Sequence, residues 1–192
     1  MLTQFVAAFD NVVIRRYNKD REVQSKLQVR YVYSPKQRVM FDLVNKAQNI
    51  TIPVISVSIN SVTRAQDRVF NKIPGFYFQK RTSDQDPFQT TTSYMRSPVP
   101  IDISVSMSIL TRYQTDMDQI ISNFVPYSNP YIVISWPIPT GFDLTSNYEI
   151  RSEVLWSGSI SLGYPTELAA SQKYRITGDT AFTIKGWLFP AV

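Results

Sequence analysis

Neither cysteine nor histidine occurs anywhere in the chain, and each absence removes a class of chemistry. Without cysteine there is no disulfide framework and no thiolate nucleophile, a composition suited to a reducing cytosol. Without histidine the chain lacks the commonest general base and metal ligand, so serine and cysteine triads, most zinc sites and most proton shuttles are lost together. Glycine is scarce as well. The six, Gly75, Gly141, Gly158, Gly163, Gly178 and Gly186, are scattered and build neither a phosphate loop nor a dinucleotide fingerprint. No apolar run approaches the roughly 18 residues of a membrane span. The N-terminal MLTQFVAAFDNVVIRRY has no basic region ahead of its apolar start, so it reads as mature sequence rather than a secretory signal. The expectation is a protein that is not an enzyme, takes no cofactor and meets no membrane.

Core material is plentiful by contrast: 43% of the 192 residues are hydrophobic and 13% aromatic, enough for one domain over residues 1–192. The net charge of +5 is unevenly placed. Residues 1–50 hold nine Lys or Arg against four acids, while the rest carry eleven of each sign. The basicity therefore belongs to the first quarter, where it would meet an acidic protein surface or a phosphate backbone. Arg15, Arg16, Lys19, Arg21, Lys26 and Arg30 are the candidate residues for either surface. Tyr17, Tyr31 and Tyr33 interleave with them as in a single-strand binder, but Tyr31 and Tyr33 share the alternate face expected to be buried, which favours the acidic protein.

The chain is organised around Val99 to Trp136, which reads as strand, helix, strand. Ile101, Ile103, Val105, Met107 and Ile109 alternate with polar residues at the period of a half-buried strand. Tyr113, Met117, Ile120, Ile121 and Phe124 then make a helical stripe, with Thr115 and Asp118 spaced for a capping box and Pro126 as terminator. After the turn-prone Ser128 to Pro130, Tyr131 to Ile134 follows as a second strand, apolar on both faces as expected of a strand inside the sheet rather than at its edge.

Elsewhere, Val12 to Tyr17 reads as a short strand or a helix end, and Val23 to Tyr33 as a half-exposed strand. Ser34 and Pro35 start a helix with Val39, Met40, Leu43, Val44 and Ala47 inward, and a strand runs from about Ile50 to Ser61. Asp67 to Pro98 shows neither period yet contains Phe76, Tyr77, Phe78, Phe88 and Tyr94. A long aromatic loop of this kind is expected to pack onto another chain as an extended arm, the alternative being an arm folded back on its own core. Near the C-terminus, Tyr148 to Leu162 reads as a strand or hairpin broken at Gly158, and Tyr174 to Leu188 as a final strand. The total is about six strands and two helices: α+β, one mixed or mostly antiparallel sheet flanked by two helices, with a long arm.

Three sets of acids invite catalytic or metal readings. Asp84 with Asp86 and Asp116 with Asp118 are spaced to ligate a cation through oxygen, but a loop and a helix start explain them. Glu149 and Glu153 share a strand face about 13 Å apart, wider than a glycosidase pair.

The combination of SILTRYQTDMDQIISNFVPYSNP (Ser108 to Pro130) with FTIKGWLFPAV (Phe182 to Val192) resembles the tail sheath stabiliser and completion proteins of T-even-type contractile-tailed phages. Weaker likeness extends to Phe9–Tyr17 and Ile50–Asn71, and Ala191 stands where the family pattern has a second proline. The resemblance implies a virion protein of tail and neck, assembled in the bacterial cytoplasm as a hexameric ring. This ring would cap the sheath and meet the tail sheath protein, the tube or its terminator, and the neck and head-completion proteins, with DNA passing unread through its channel. In that setting the arm, with Trp187, Phe189 and Pro190, is expected to supply contacts between subunits or to other tail proteins. Another neck, tube-terminator or baseplate ring subunit is the alternative within the class, and a nucleic-acid-binding module the alternative outside it.

Overall fold

The structure, a computed structural model, describes residues 1–45, 52–69, 74–81, 90–138, 149–165 and 175–189. Within these lie three helices, α1 (Leu2–Ala7), α2 (Lys36–Asn45) and α3 (Gln114–Tyr127). Eleven strands accompany them: β1 (Val13–Tyr17), β2 (Val23–Gln28), β3 (Arg30–Tyr33), β4 (Val54–Arg64), β5 (Gly75–Arg81), β6 (Thr90–Arg96), β7 (Val99–Thr111), β8 (Ile132–Pro137), β9 (Glu149–Trp156), β10 (Ser161–Gly163) and β11 (Ile176–Leu188). The α+β expectation holds, with α1 as an additional helix.

Seven strands form one sheet in the order β3-β4-β7-β11-β9-β8, and β10 pairs with β11 beside the end of β9. The β3–β4 pair is parallel and the others antiparallel. β7 and β11, the longest strands, pair over their full thirteen residues and carry the sheet. In β11 the alternation is complete: Ile176, Gly178, Thr180, Phe182, Ile184 and Gly186 all point inward. The break foreseen at Gly158 is real. Its φ of +82° is a backbone state that side chains rarely adopt, and it lets the chain leave β9 and rejoin the same flank of β11 as β10.

One face of the sheet is covered by α1 and α3. Phe5, Phe9, Phe124 and Phe182 meet there with ring centroids 5.2 to 5.7 Å apart, and Trp156 closes the cluster 5.9 Å from Phe124. Rings in these tilted and edge-on arrangements gain about 1 kcal/mol per pair beyond the area they bury. The Trp156 indole N–H donates to the Thr180 hydroxyl at 2.7 Å, and that hydroxyl donates to the Ser159 carbonyl at 2.8 Å, so the polar edge of the cluster is satisfied. On the opposite face α2 packs Val39, with Met40 and Leu43, against Val54 and Leu110.

Several local expectations are corrected. The Val23–Tyr33 strand is two: it bends at Val29, which is buried and donates its N–H to the Val12 carbonyl, so that β2 pairs with β1 while β3 joins the large sheet. Tyr31 is half-buried as expected, but Tyr33 is exposed, because β3 is an edge strand. The Ser34 hydroxyl is buried without a partner instead of capping α2, and the first helical bonds go to the Pro35 carbonyl. The Thr115–Asp118 capping box does not form: Tyr113 is the N-cap, and Asp118 accepts from the Gln114 amide. Pro126 lies inside the last turn of α3 instead of ending it: it gives up only the bond its missing N–H would make, and Ser128 closes the turn with its N–H and hydroxyl both donating to the Phe124 carbonyl. The strand expected inside the sheet at Tyr131–Ile134 is instead its last strand, β8, with Ile132, Ile134 and Trp136 inward and Tyr131 and Val133 exposed, because only one face of it meets the core. Val44 and Ala47 lie outside the described side chains.

Candidate functional site

The stretch read as a loop without period is a β-ribbon. β5 and β6 pair antiparallel over seven residues, from Gly75 opposite Arg96 to Arg81 opposite Thr90, as a sheet of their own. The ribbon prolongs the β4–β7 pair. Ala65 donates to the Pro100 carbonyl just beyond the last β4–β7 partners, and Ser97 donates to Pro74 at the ribbon's foot. Its strands escaped notice because hydrophobic period is a signal of one buried face, and a ribbon standing off the core has none. Tyr77 faces Tyr94 across it with centroids 4.9 Å apart, and both are exposed, at 75% and 46%. Phe76 lies opposite Met95 and Phe78 opposite Ser93 in the register. Phe88 and Pro190 lie outside the described residues.

The C-terminal aromatics sit at the ribbon's base. Trp187 is opposite Pro100, and the Arg68 guanidinium lies 5.4 Å from its ring while also reaching the Asp102 carboxylate at 2.8 Å and the Ile101 carbonyl. Phe189 meets Trp136 edge-on at 5.9 Å, and the Trp136 indole is fixed by a 2.9 Å bond to Ser152. Trp187 and Phe189 are thus half-buried within their own chain, and among the described side chains of the set the tyrosine pair is the exposed aromatic surface. Arg68 was invisible to sequence reasoning, since nothing local marks an arginine that will stack on a tryptophan more than a hundred residues away.

The basic candidates divide. Arg15 and Lys26 are cross-strand partners on the outward face of the β1–β2 hairpin, beside exposed Val13, Tyr17 and Val23. Lys19 and Arg21 occupy its turn, where the Asn18 side chain accepts from the backbone of Asp20 and Glu22, and Arg30 begins β3. Arg16 points the other way. Its guanidinium donates to the Asp116 carboxylate at 2.7 Å and lies 5.0 Å from the Tyr113 ring, pinning the hairpin to the start of α3. The hydrogen bond to Asp116 and its charge hold the Arg16 pKa above its usual value against partial desolvation. Gln119, one turn on, both accepts from and donates to the Arg15 backbone.

No reactive constellation emerges among the described residues. Asp116 is taken up by Arg16, and Asp84 with Asp86 lies outside the described residues. No described group of three or more acids is placed to hold a metal ion. Asp179 binds Lys36 and accepts from Ser108 at 2.6 Å, but that serine is buried, so the cluster fastens α2 to the sheet. An open groove of about 420 Å³ beside Val125, Pro126, Asn129 and Trp156 has no ionisable side chain in its lining. No described helix is long and apolar enough to cross a membrane. Burial raises the Tyr31 pKa, with Asp10 adding to the shift, and the phenol donates at 2.7 Å to the Phe9 carbonyl in a structural role.

The sheet thus carries an aromatic ribbon beyond one end of β7 and a basic hairpin pinned to the helix that follows the other end. Comparisons with known proteins supply the class. The family model for the T4-like virus Myoviridae tail sheath stabiliser matches residues 1–192. The tail completion protein gp15 of Enterobacteria phage T4 is 30% identical over 96 residues, which is 50% of this chain and 34% of that protein. The class is that of structural proteins of the bacteriophage tail. The chain belongs to the T4-like tail sheath stabiliser family, and is a component of the virion.

Proposed function

We propose that the protein assembles as a hexameric ring at the head-proximal end of a contractile tail, capping the tube and holding the last sheath ring extended. It also offers the surface to which the neck of the filled head attaches. The observation that carries this reading is the family match across the whole chain, with the match to a tail completion protein in its support. The physical features fit: the surfaces the chain offers are built for protein contact. The tail sheath and tube proteins and the head-completion proteins are the partners, met through the ribbon with its Tyr77–Tyr94 pair. The outward Arg15 and Lys26 face an acidic protein or line the channel through which DNA passes without being read.

Native mass spectrometry with negative-stain images of the purified protein, alone and with sheathed tails, tests the proposal. A six-membered ring that seats on tail ends is the expected result. A protein that remains monomeric on tails and shifts DNA in a salt-dependent way overturns it in favour of nucleic-acid binding. Deleting the ribbon, residues 74–97, is expected to abolish ring or sheath contact while leaving the rest folded.

A further inference from the structure

An open strand edge presents free amide and carbonyl groups, and soluble proteins blunt such edges with lysine, proline, a bulge or a covering element. This chain does so at β1. The Gln119 side chain lies on the flank of that strand and makes two 2.9 Å bonds with the Arg15 N–H and carbonyl, much as a neighbouring strand would. Among the described residues no side chain bonds the outer flank of β8 in this way. β8 is the last strand of the large sheet, runs against β9 without a register shift, and has no charged residue from Tyr131 to Pro137. Tyr131 and Val133 are 49% and 50% exposed there, and proline comes only at its end. On β9, exposed Glu153 lies opposite Val133 and exposed Glu149 opposite Pro137, with Arg151 between them.

The complement lies on the hairpin that leads into the other end of the strand order. Among the described residues β2 is paired on one flank only, by β1, and leads through Val29 into β3, the strand at the opposite end of the sheet order from β8. Its exposed surface combines Val23 with Lys26, and Arg15 sits across from Lys26. One edge is therefore apolar with acids behind it, and the other basic with apolar residues beside it.

We propose that β8 of one copy pairs with β2 of a second copy, so that the sheet continues from subunit to subunit and Glu153 faces Lys26 across the junction. This rests on the ring reading above. Strands in a sheet lie about 4.8 Å apart, so a lysine on β2 reaches over β8 to a carboxylate on β9. The two edges differ and belong to different strands, so each copy engages two neighbours in a head-to-tail contact, the kind that makes a ring when the rotation between copies closes.

The absence of cysteine makes the test clean. Val133→Cys is combined in turn with Gln24→Cys, Lys26→Cys or Gln28→Cys in the full chain, oxidised and run on a denaturing gel. At least one pair is expected to give a ladder of covalent oligomers ending at the ring number, while each single-cysteine variant stays monomeric. Covalent dimers from Val133→Cys alone overturn the proposal, because β8 would then be pairing with itself. The absence of any ladder from variants that native mass spectrometry shows as rings also overturns it, and leaves the ring reading standing. Neither rings nor ladders, with or without tails, overturns both. As a second measurement, Glu153→Lys is expected to weaken ring assembly at least tenfold at low salt, and Lys26→Glu in the same chain to restore it. Failure to restore removes the charge pairing from the proposal and with it the choice of β2.

Discussion

Arg16 and Asp116 form an ion pair whose two halves are unequally buried, the arginine side chain being 35% exposed and the aspartate 1%. Removing one partner therefore has different consequences from removing the other. Arg16→Met leaves a carboxylate in the interior with its main counter-charge gone, and an uncompensated buried charge of this kind costs about 3 kcal/mol. Its place in the first turn of α3 supplies some compensation from the helix amides, which keeps the figure at the low end. Asp116→Asn leaves a guanidinium that still stacks on Tyr113 and has water on one side, and the amide oxygen can still accept, so the loss is about 1 kcal/mol. For a domain of this size each kcal/mol moves Tm by roughly 2–4 °C, giving a fall of about 6–12 °C for Arg16→Met and about 2–4 °C for Asp116→Asn. The double replacement Arg16→Met with Asp116→Leu is expected to recover most of the first loss, since apolar groups of similar volume satisfy each other. Calorimetry or thermal circular dichroism at neutral pH reads all three. Equal losses from the two single variants, or a larger loss from Asp116→Asn, would refute the claim that burial of the carboxylate governs this contact. Because the Arg16 pKa is raised, its share of the stability is fully present below the ordinary arginine range and is lost only as pH rises beyond it, so the ranking is unchanged between pH 6 and 9.

Tyr31 is held neutral by burial and by Asp10, with its folded pKa above the unfolded value of 10.0. Stability from this group is full below pH 10 and falls as pH rises further, by up to ~1.4 kcal/mol per unit. Tyr31→Phe is expected to cost about 1 kcal/mol at pH 8 through the lost bond to Phe9 and to match the wild type near pH 11, as read by urea midpoints. Tyr77→Ser with Tyr94→Ser should leave Tm of the core within about 1 °C, because the ribbon is a sheet of its own, while co-sedimentation with sheathed tails falls at least tenfold. Gln119→Ala opens the guarded flank of β1: amide exchange at Arg15 is expected to quicken about fivefold for a loss of about 1 kcal/mol, and unchanged exchange would show that the side chain does not cover that edge.

The amino-acid sequence alone determined the centre of the molecule. β7, α3 and β11 follow from periods of two and 3.6 in their apolar residues, so the pattern survives any tertiary arrangement that buries one face, whereas the apolar run of β8 marked a strand but not its place at the edge of the sheet. The family, too, was legible, in Ser108–Pro130 and Phe182–Val192. α1 was legible in principle, since Leu2, Phe5, Val6 and Phe9 fall at helical spacing, but a single six-residue helix has little intrinsic signal and owes its existence to packing on Phe182. Only the tertiary structure decided how the surfaces are divided. It turned Arg16 inward to Asp116 and Arg15 outward beside Lys26, although the two arginines are adjacent in sequence, because neighbouring strand residues face opposite sides. It placed Trp187 under Arg68 and Phe189 against Trp136, and it made a ribbon of a stretch with no period. Those outcomes depend on which distant segments become neighbours, a property of the folded sheet rather than of any local run of residues.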